Sequence, residues 1–122
     1  MPSTAPETMI REFWSHFDRK DYEALSAMIA DDAQWNDDFS LDWVRGRSAI
    51  AQHLGRIGEL ASDSHTSLSD ISVLDAGEAV IVTCVVDYQM AWRGQPASVR
   101  APTSFVFARR GSTWRILLVH TK

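Results

Sequence analysis

The sequence is short of the groups that most often announce a chemistry. It has one cysteine, Cys84, so no disulfide can form within the chain and nothing indicates an oxidising compartment. No stretch approaches the roughly 20 consecutive apolar residues that cross a bilayer. Met1 to Thr8 has neither the basic nor the apolar segment of a secretion signal. The expectation is a soluble, cytoplasmic protein with no membrane partner. Asp and Glu number 16 against 12 Lys and Arg, for a formal charge of -4. No basic run could release counterions from a phosphate backbone, which argues against a nucleic-acid partner. GxSxG and glycine-rich phosphate loops are missing, as are HxxxH, HxH and CxxC spacings. Cys84 sits mid-strand on an apolar face, where a thiol is normally inert. No metal and no cofactor are implied.

What is present describes one domain. A chain of 122 residues with 45% hydrophobic content and five Trp can bury a single sizeable core. Its periodicity changes once. Ile10, Phe13, Trp14 and Phe17 fall on one face of a helix, and Thr4-Ala-Pro-Glu7 resembles a capping box with proline in the first turn. Asp21 caps a second short helix carrying Leu25, Met28 and Ile29, which Asp31-Asp32 would end. A short strand over 33–37 follows, then a loop to Arg45. Gly46 precedes a third helix from about Ser48 to Leu60, with Ile50, Leu54 and Ile57 as its apolar stripe. Strands then read as 66–74, 79–92, 98–109 and 113–121. In the second of these the even positions from Val80 to Trp92 are all apolar or aromatic, which marks a core or pocket face. Its odd face, with Ile81, Val85, Asp87 and Gln89, suits an interface between subunits. Trp114, Ile116, Leu118 and His120 share a parity on the last strand. Helices first and strands afterwards predict an α+β fold, three helices on a curved antiparallel or mixed sheet. Residues 1–6 read as a loose tail and 7–122 as the domain.

The stretch WNDDFSLDWVRGRSAI, from Trp35 to Ile50, sets three aspartates among three aromatics. Strand alternation places Ala33, Trp35 and Asp37 on one face. If Trp35 is buried, Asp37 points inward with it. Asp38 and Asp42 read as loop or surface groups, and Asp31 and Asp32 as bonding local backbone. A carboxylate against an apolar wall is expected to have a raised pKa and to be able to move a proton.

The order of elements resembles the nuclear transport factor 2-like superfamily, and within it the SnoaL-like and ketosteroid isomerase-like branch. FWSHFDRKDYEAL, IADDAQW, VRGRSAI and TWRILLVHT carry the resemblance, which covers nearly the whole chain. It implies a cone-shaped fold around an apolar cavity and a homodimer through the sheet's other face. It also places Asp37 where ketosteroid isomerases carry their general-base aspartate. The departures are equally specific. The position of the isomerases' first-helix tyrosine reads as Phe13. Their strand aspartate reads as Thr103 or Ser104. Asp87 matches one aspartate of the limonene epoxide hydrolase Arg-x-Asp element, but Val85 replaces its arginine and Ile116 its second aspartate. Steroid isomerisation is not expected.

Among the histidines, His16 borders the first helix's apolar stripe. It is either a boundary residue or an acid or base opposite Asp37. His65 starts a strand, exposed or at the cavity mouth. His120 is a partly buried strand-end residue or a donor, and His53 on the third helix reads as solvated. The candidate catalytic set is Asp37, His16, Ser104 and His120, with Tyr88 as a further donor. Phe13, Trp14, Phe17, Trp35, Trp43 and His65, together with Tyr88, Met90 and Trp92, are the candidate pocket for a small apolar or aromatic molecule. Large aromatics can equally fill a core. Three functions remain open at this point. They are a proton-transfer enzyme of the isomerase, cyclase or dehydratase type, a non-catalytic ligand-binding or dimerising module, and a purely structural association domain with a collapsed cavity.

Overall fold

Two periods of apolar residues divide the chain into helices and strands, and the computed structural model describes residues 5–122. Helix α1 (Ala5–Asp18) buries Pro6, Ile10, Phe13, Trp14 and Phe17, the expected helical face. Ala5 and Pro6, expected in a loose tail, are its first residues. The proposed cap at Thr4 lies outside the described residues. Helix α2 (Tyr22–Ala27) is capped by Asp21, whose Oδ1 accepts from the Ala24 backbone N–H.

Strand β1 (Ile29–Asp37) starts earlier than the sequence suggests. Asp31 and Asp32 do not end a helix. They lie within β1, where pairing shifts register between Ile29 and Gln34, and their side chains reach away from the core. Asp31 pairs with Arg47 at 2.9 Å and Asp32 with Arg110 at 3.4 Å. A two-residue strand β2 (Val44–Arg45) pairs back onto β1. Gly46 has φ 93°, and its N–H donates to the Ala33 carbonyl, a left-handed conformation that favours glycine. Arg47 then donates to the Ile29 carbonyl at 2.9 Å. The Gly-Arg pair therefore fixes the start of helix α3 (Arg47–Leu60) against β1.

Strands β3 (Ala61–Asp75), β4 (Ala79–Trp92), β5 (Gln95–Arg110) and β6 (Thr113–Thr121) complete the fold. The sheet order is β2-β1-β6-β5-β4-β3. Among the described residues only the β1–β6 pairing is parallel, so the sheet is mixed. The long strands β4 and β5 pair without interruption from Ala79↔Ala108 to Trp92↔Gln95. Their concave face buries Val82, Cys84, Val86, Tyr88, Phe105 and Phe107. Alternation in β6 breaks at an irregularity between Val106 and Phe107 of β5, opposite Leu118 and Ile116. Ile116, Val119 and Thr121 therefore face inward, while Leu118 and His120 turn to the outer face. The expected shared parity of Ile116, Leu118 and His120 fails for that reason.

An aromatic cluster locks α1 to the sheet. Phe13 stacks on Trp35 at 5.7 Å between centroids and meets Trp14 and Phe105 edge-on at 5.1 and 5.4 Å. Below α2, the Tyr22 ring packs onto Gly58 of α3 so closely that a Cβ there would overlap it. Lys20 donates to the Gly58 carbonyl at 2.7 Å.

Candidate functional site

Strand alternation puts Trp35 and Asp37 side by side on the concave face, and their side chains meet. Trp35 Nε1–H donates to Asp37 Oδ2 at 2.7 Å. The same oxygen lies 3.0 Å from His53 Nε2 on α3, and Oδ1 accepts from the Phe39 backbone N–H at 2.8 Å. Asp37 is 5% exposed and His53 7%. Burial pushes the Asp37 carboxyl up. The hydrogen bonds from His53 and Trp35, the attraction of His53 and the Phe39 N–H outweigh it and hold the pKa below the usual carboxylate value. The expected upward shift is thus reversed. Asp37 sits in an apolar wall as predicted, but three donors keep it ionised.

Asp37 borders a cavity of about 40 Å³ under the curved sheet, with room for only a few water-sized spheres. Its aromatic walls are Trp14, Phe17, Trp35, Phe39 and Tyr88. Leu54 and Ile57 close it from α3, and Val86, Val99 and Ala101 from the sheet. Its polar residues, besides the Tyr88 hydroxyl and the Trp14 indole, are Asp37, Asp38 and Thr121. Tyr88 Oη and Ser64 Oγ are 3.0 Å apart, and burial pushes the Tyr88 hydroxyl up to about 12. It is therefore a hydrogen-bonding phenol near neutral pH. Trp14 Nε1 is buried and finds no partner among the described residues. His53 does not line the cavity and stands behind Asp37. Over the carboxylate, Phe39 on the β1–β2 loop stacks on Trp92 at 4.9 Å. Ser40 Oγ accepts from the Asp37 N–H and donates to its carbonyl, fixing the loop's base.

The other candidates do not converge on this cavity. His16 lies at the helix edge with its Nδ1 2.8 Å from the Arg19 guanidinium. Ser104 and His120 face one another across β5 and β6 on the outer side of the sheet, because strand parity turns Thr103 inward and Ser104 outward. Thr103, the inward one, bonds Thr121 Oγ1 at 2.8 Å and the Ala101 carbonyl. His65 is exposed, being the fifth residue of β3 and not its start. Trp43 is 40% exposed against His120. Phe13 is fully buried behind Trp35, Met90 is core further along β4, and Trp92 supports Phe39. Trp14, Phe17, Trp35 and Tyr88 do line the cavity.

His53 is the residue that sequence reasoning missed. It falls at i+3 from Ile50, inside the stripe Ile50, Leu54, Ile57, so helical periodicity already carried the signal. Its burial depends on Asp37, 16 residues away, and no local pattern announces that partner. Among the described residues no three His, Cys, Asp or Glu side chains gather as a metal site requires. Among the described residues, no helix is long and apolar enough to cross a membrane.

Comparison with known proteins places this geometry. Residues 7–121 match the family described as the SnoaL-like domain. No curated protein matches in sequence. Solved structures share the fold. The CaMKII hub of S. rosetta superposes with a TM-score of 0.85 at 16% identity, covering 100% of this chain and 98% of that one. A nuclear transport factor 2-like superfamily protein from Salmonella enterica serovar Typhimurium gives 0.82 at 21% identity, covering 93% and 84%. An NTF2-like family protein from Streptomyces avermitilis, provisionally assigned as a dehydratase, gives 0.80 at 18% identity, covering 89% and 87%. At these identities the likeness concerns the fold.

Proposed function

The chain belongs to the SnoaL-like domain family, and from that premise we propose that its cavity binds a small molecule whose apolar body sits among the aromatic rings and whose polar end meets Asp37. One observation carries this reading. An ionised carboxylate is held by three donors at the wall of an otherwise apolar cavity. A carboxylate offers about four acceptor positions, so one remains for a ligand's O–H or N–H. A single oriented polar group in an apolar pocket is what ligand recognition needs.

Binding is favoured over proton transfer by the same contacts. A carboxylate held below its usual pKa is a weak base near pH 7. Ser104 and His120, which would have shared the work, are on the other face. The small volume favours a compact ligand over a polycyclic one. The test is a fragment screen by protein-observed NMR. Compounds with an apolar body and one donor should shift the Trp14 and Trp35 indole signals. If no compound shifts them at millimolar concentration, the reading fails.

Self-association belongs to the same proposal. The outer face carries a cross-strand row of apolar residues: Leu74 opposite Ile81, Ile81 opposite Val106, and Val106 opposite Leu118. Leu74 is 61% exposed. A contiguous apolar row on one face of a sheet is the surface that a second copy would cover.

A further inference from the structure

Most polar groups at the cavity wall already have partners, and the exceptions form a pattern. Tyr88 Oη is engaged by Ser64 Oγ at 3.0 Å, and Thr121 Oγ1 by Thr103 Oγ1 at 2.8 Å. Asp37 holds three donors, which leaves one acceptor position. Trp14 Nε1–H is buried and has no acceptor among the described residues. The Trp14 ring also borders an open groove between α1 and β3, but its nitrogen is shut off from solvent, so bulk water does not satisfy it. Tyr22 Oη is the other buried side-chain atom without a partner among the described residues, and it is pressed against Gly58, where a Cβ would overlap it. Trp14 differs because its ring is a wall of the cavity. An unmet donor in a protein interior is costly and uncommon, and it marks a place where an acceptor belongs. We propose that the cavity's ligand is a small neutral carboxamide, its carbonyl oxygen accepting from Trp14 Nε1–H and its N–H donating to Asp37. This rests on the binding-site reading above and names its ligand class.

Size, charge and polarity each narrow the class. A cavity of about 40 Å³ admits roughly three water-sized spheres, so the part of the ligand that it encloses is a skeleton of about four heavy atoms. An anion offers acceptors but meets the ionised Asp37 in an apolar setting, where repulsion is stronger than in water. A cation offers no acceptor to Trp14, and Asp37 already has His53 at 3.0 Å. A ketone answers Trp14 and leaves the remaining position of Asp37 empty. An alcohol has a single oxygen for two groups that come from different elements, Trp14 on α1 and Asp37 on β1. A primary amide carries its acceptor and its donors on separate atoms of one plane. It answers both groups within the allowed size and leaves a short alkyl group for the apolar walls. Water has both functions too, but a cavity walled mainly by aromatic and aliphatic side chains holds water poorly.

One molecular shape with four polar patterns tests the proposal directly. Acetamide, acetone, acetate and 2-methylpropene share a branched skeleton and differ in their donors, acceptors and charge. Each is added to the wild-type chain while the Trp14 and Trp35 indole signals are followed by NMR. Acetamide should bind at least about fivefold more tightly than acetone, because it adds a hydrogen bond to a charged group. Acetate should not bind. Acetamide and acetone should move the Trp14 Nε1–H proton downfield, the mark of a new hydrogen bond, and 2-methylpropene should not. Trp14→Phe keeps a ring and removes the donor. Where circular dichroism confirms a folded chain, it should weaken acetamide at least about fivefold and change 2-methylpropene much less. The wild-type measurements test the proposal even if that variant does not fold. If acetone or 2-methylpropene binds as tightly as acetamide, or the Trp14 proton does not move downfield with acetamide, the carboxamide assignment is overturned and the binding-site reading stands. If none of the four moves the cavity signals, the carboxamide assignment falls, and the wider fragment screen decides the binding-site reading separately.

Discussion

Asp37 carries both the strongest local evidence and the clearest departure from expectation. Alternation from Trp35 was enough to place it inward, because a two-residue period leaves no choice once one large ring is buried. The direction of its pKa was not legible, since it depends on His53 from another element and on the Phe39 amide of a turn. The consequence for stability follows from the sign. Its pKa is lower folded than unfolded, so Asp37 stabilises the fold above the unfolded value of 3.8. That contribution is lost as pH falls through the lower folded value. Asp37→Asn offers an N–H where a donor already points and leaves part of the trio unsatisfied. At pH 7 it should cost about 2–4 kcal/mol, read from urea unfolding. Its gap to wild type should shrink as the pH is lowered toward and below the folded-state value. A gap that stays constant with pH would show that the carboxylate's charge contributes nothing.

Elements explain why the site is held where it is. The Gly46-Arg47 pair was visible as a helix start, but its tie to Ile29 and Asp31 spans too many residues for a local reading. The β6 irregularity was equally hidden, because a bulge changes parity without changing composition. Gly58 gives a sharper test of element packing. A Cβ there would overlap the Tyr22 ring, so Gly58→Ala should destabilise by about 1–3 kcal/mol through overpacking. Tyr22→Phe in the same chain should recover part of this loss in thermal unfolding, because the hydroxyl is the nearest obstacle. The β1–β2 loop makes a second prediction. Phe39 is 42% exposed yet stacks on Trp92 above the cavity. Phe39→Ala should leave the melting temperature within a few degrees, since exposed substitutions usually change stability by less than about 0.5 kcal/mol. It should also speed exchange of any bound fragment, as seen in NMR line shapes. Unchanged exchange would mean that the ring is not at the entrance.

At the scale of the whole molecule, the two faces of the sheet differ in burial, and β4 carried that division in its sequence. Its even residues from Val80 to Met90 are buried against the helices and cavity, and its odd residues are half-exposed or exposed. What β4 alone could not disclose is the row that its odd face joins. Leu74, Ile81, Val106 and Leu118 align only because the registers of β3, β4, β5 and β6 bring them opposite one another. The next row, through Ser72, Thr83, Ser104 and His120, is polar, so the apolar surface is a band and not a general property of that face. Covering such a band with a second copy removes apolar area from water at about 25 cal/mol per Å². A charge at its centre must then be desolvated or must separate the copies. Ile81→Lys should therefore shift the chain toward monomer in sedimentation equilibrium. Its monomer fold should be retained in circular dichroism, because Ile81 points away from the core. Ser104→Lys, in the polar row beside it, should disturb association less. Equal effects of the two substitutions would remove the apolar row as the contact, and a wild-type chain that sediments as a monomer at all concentrations would remove self-association itself.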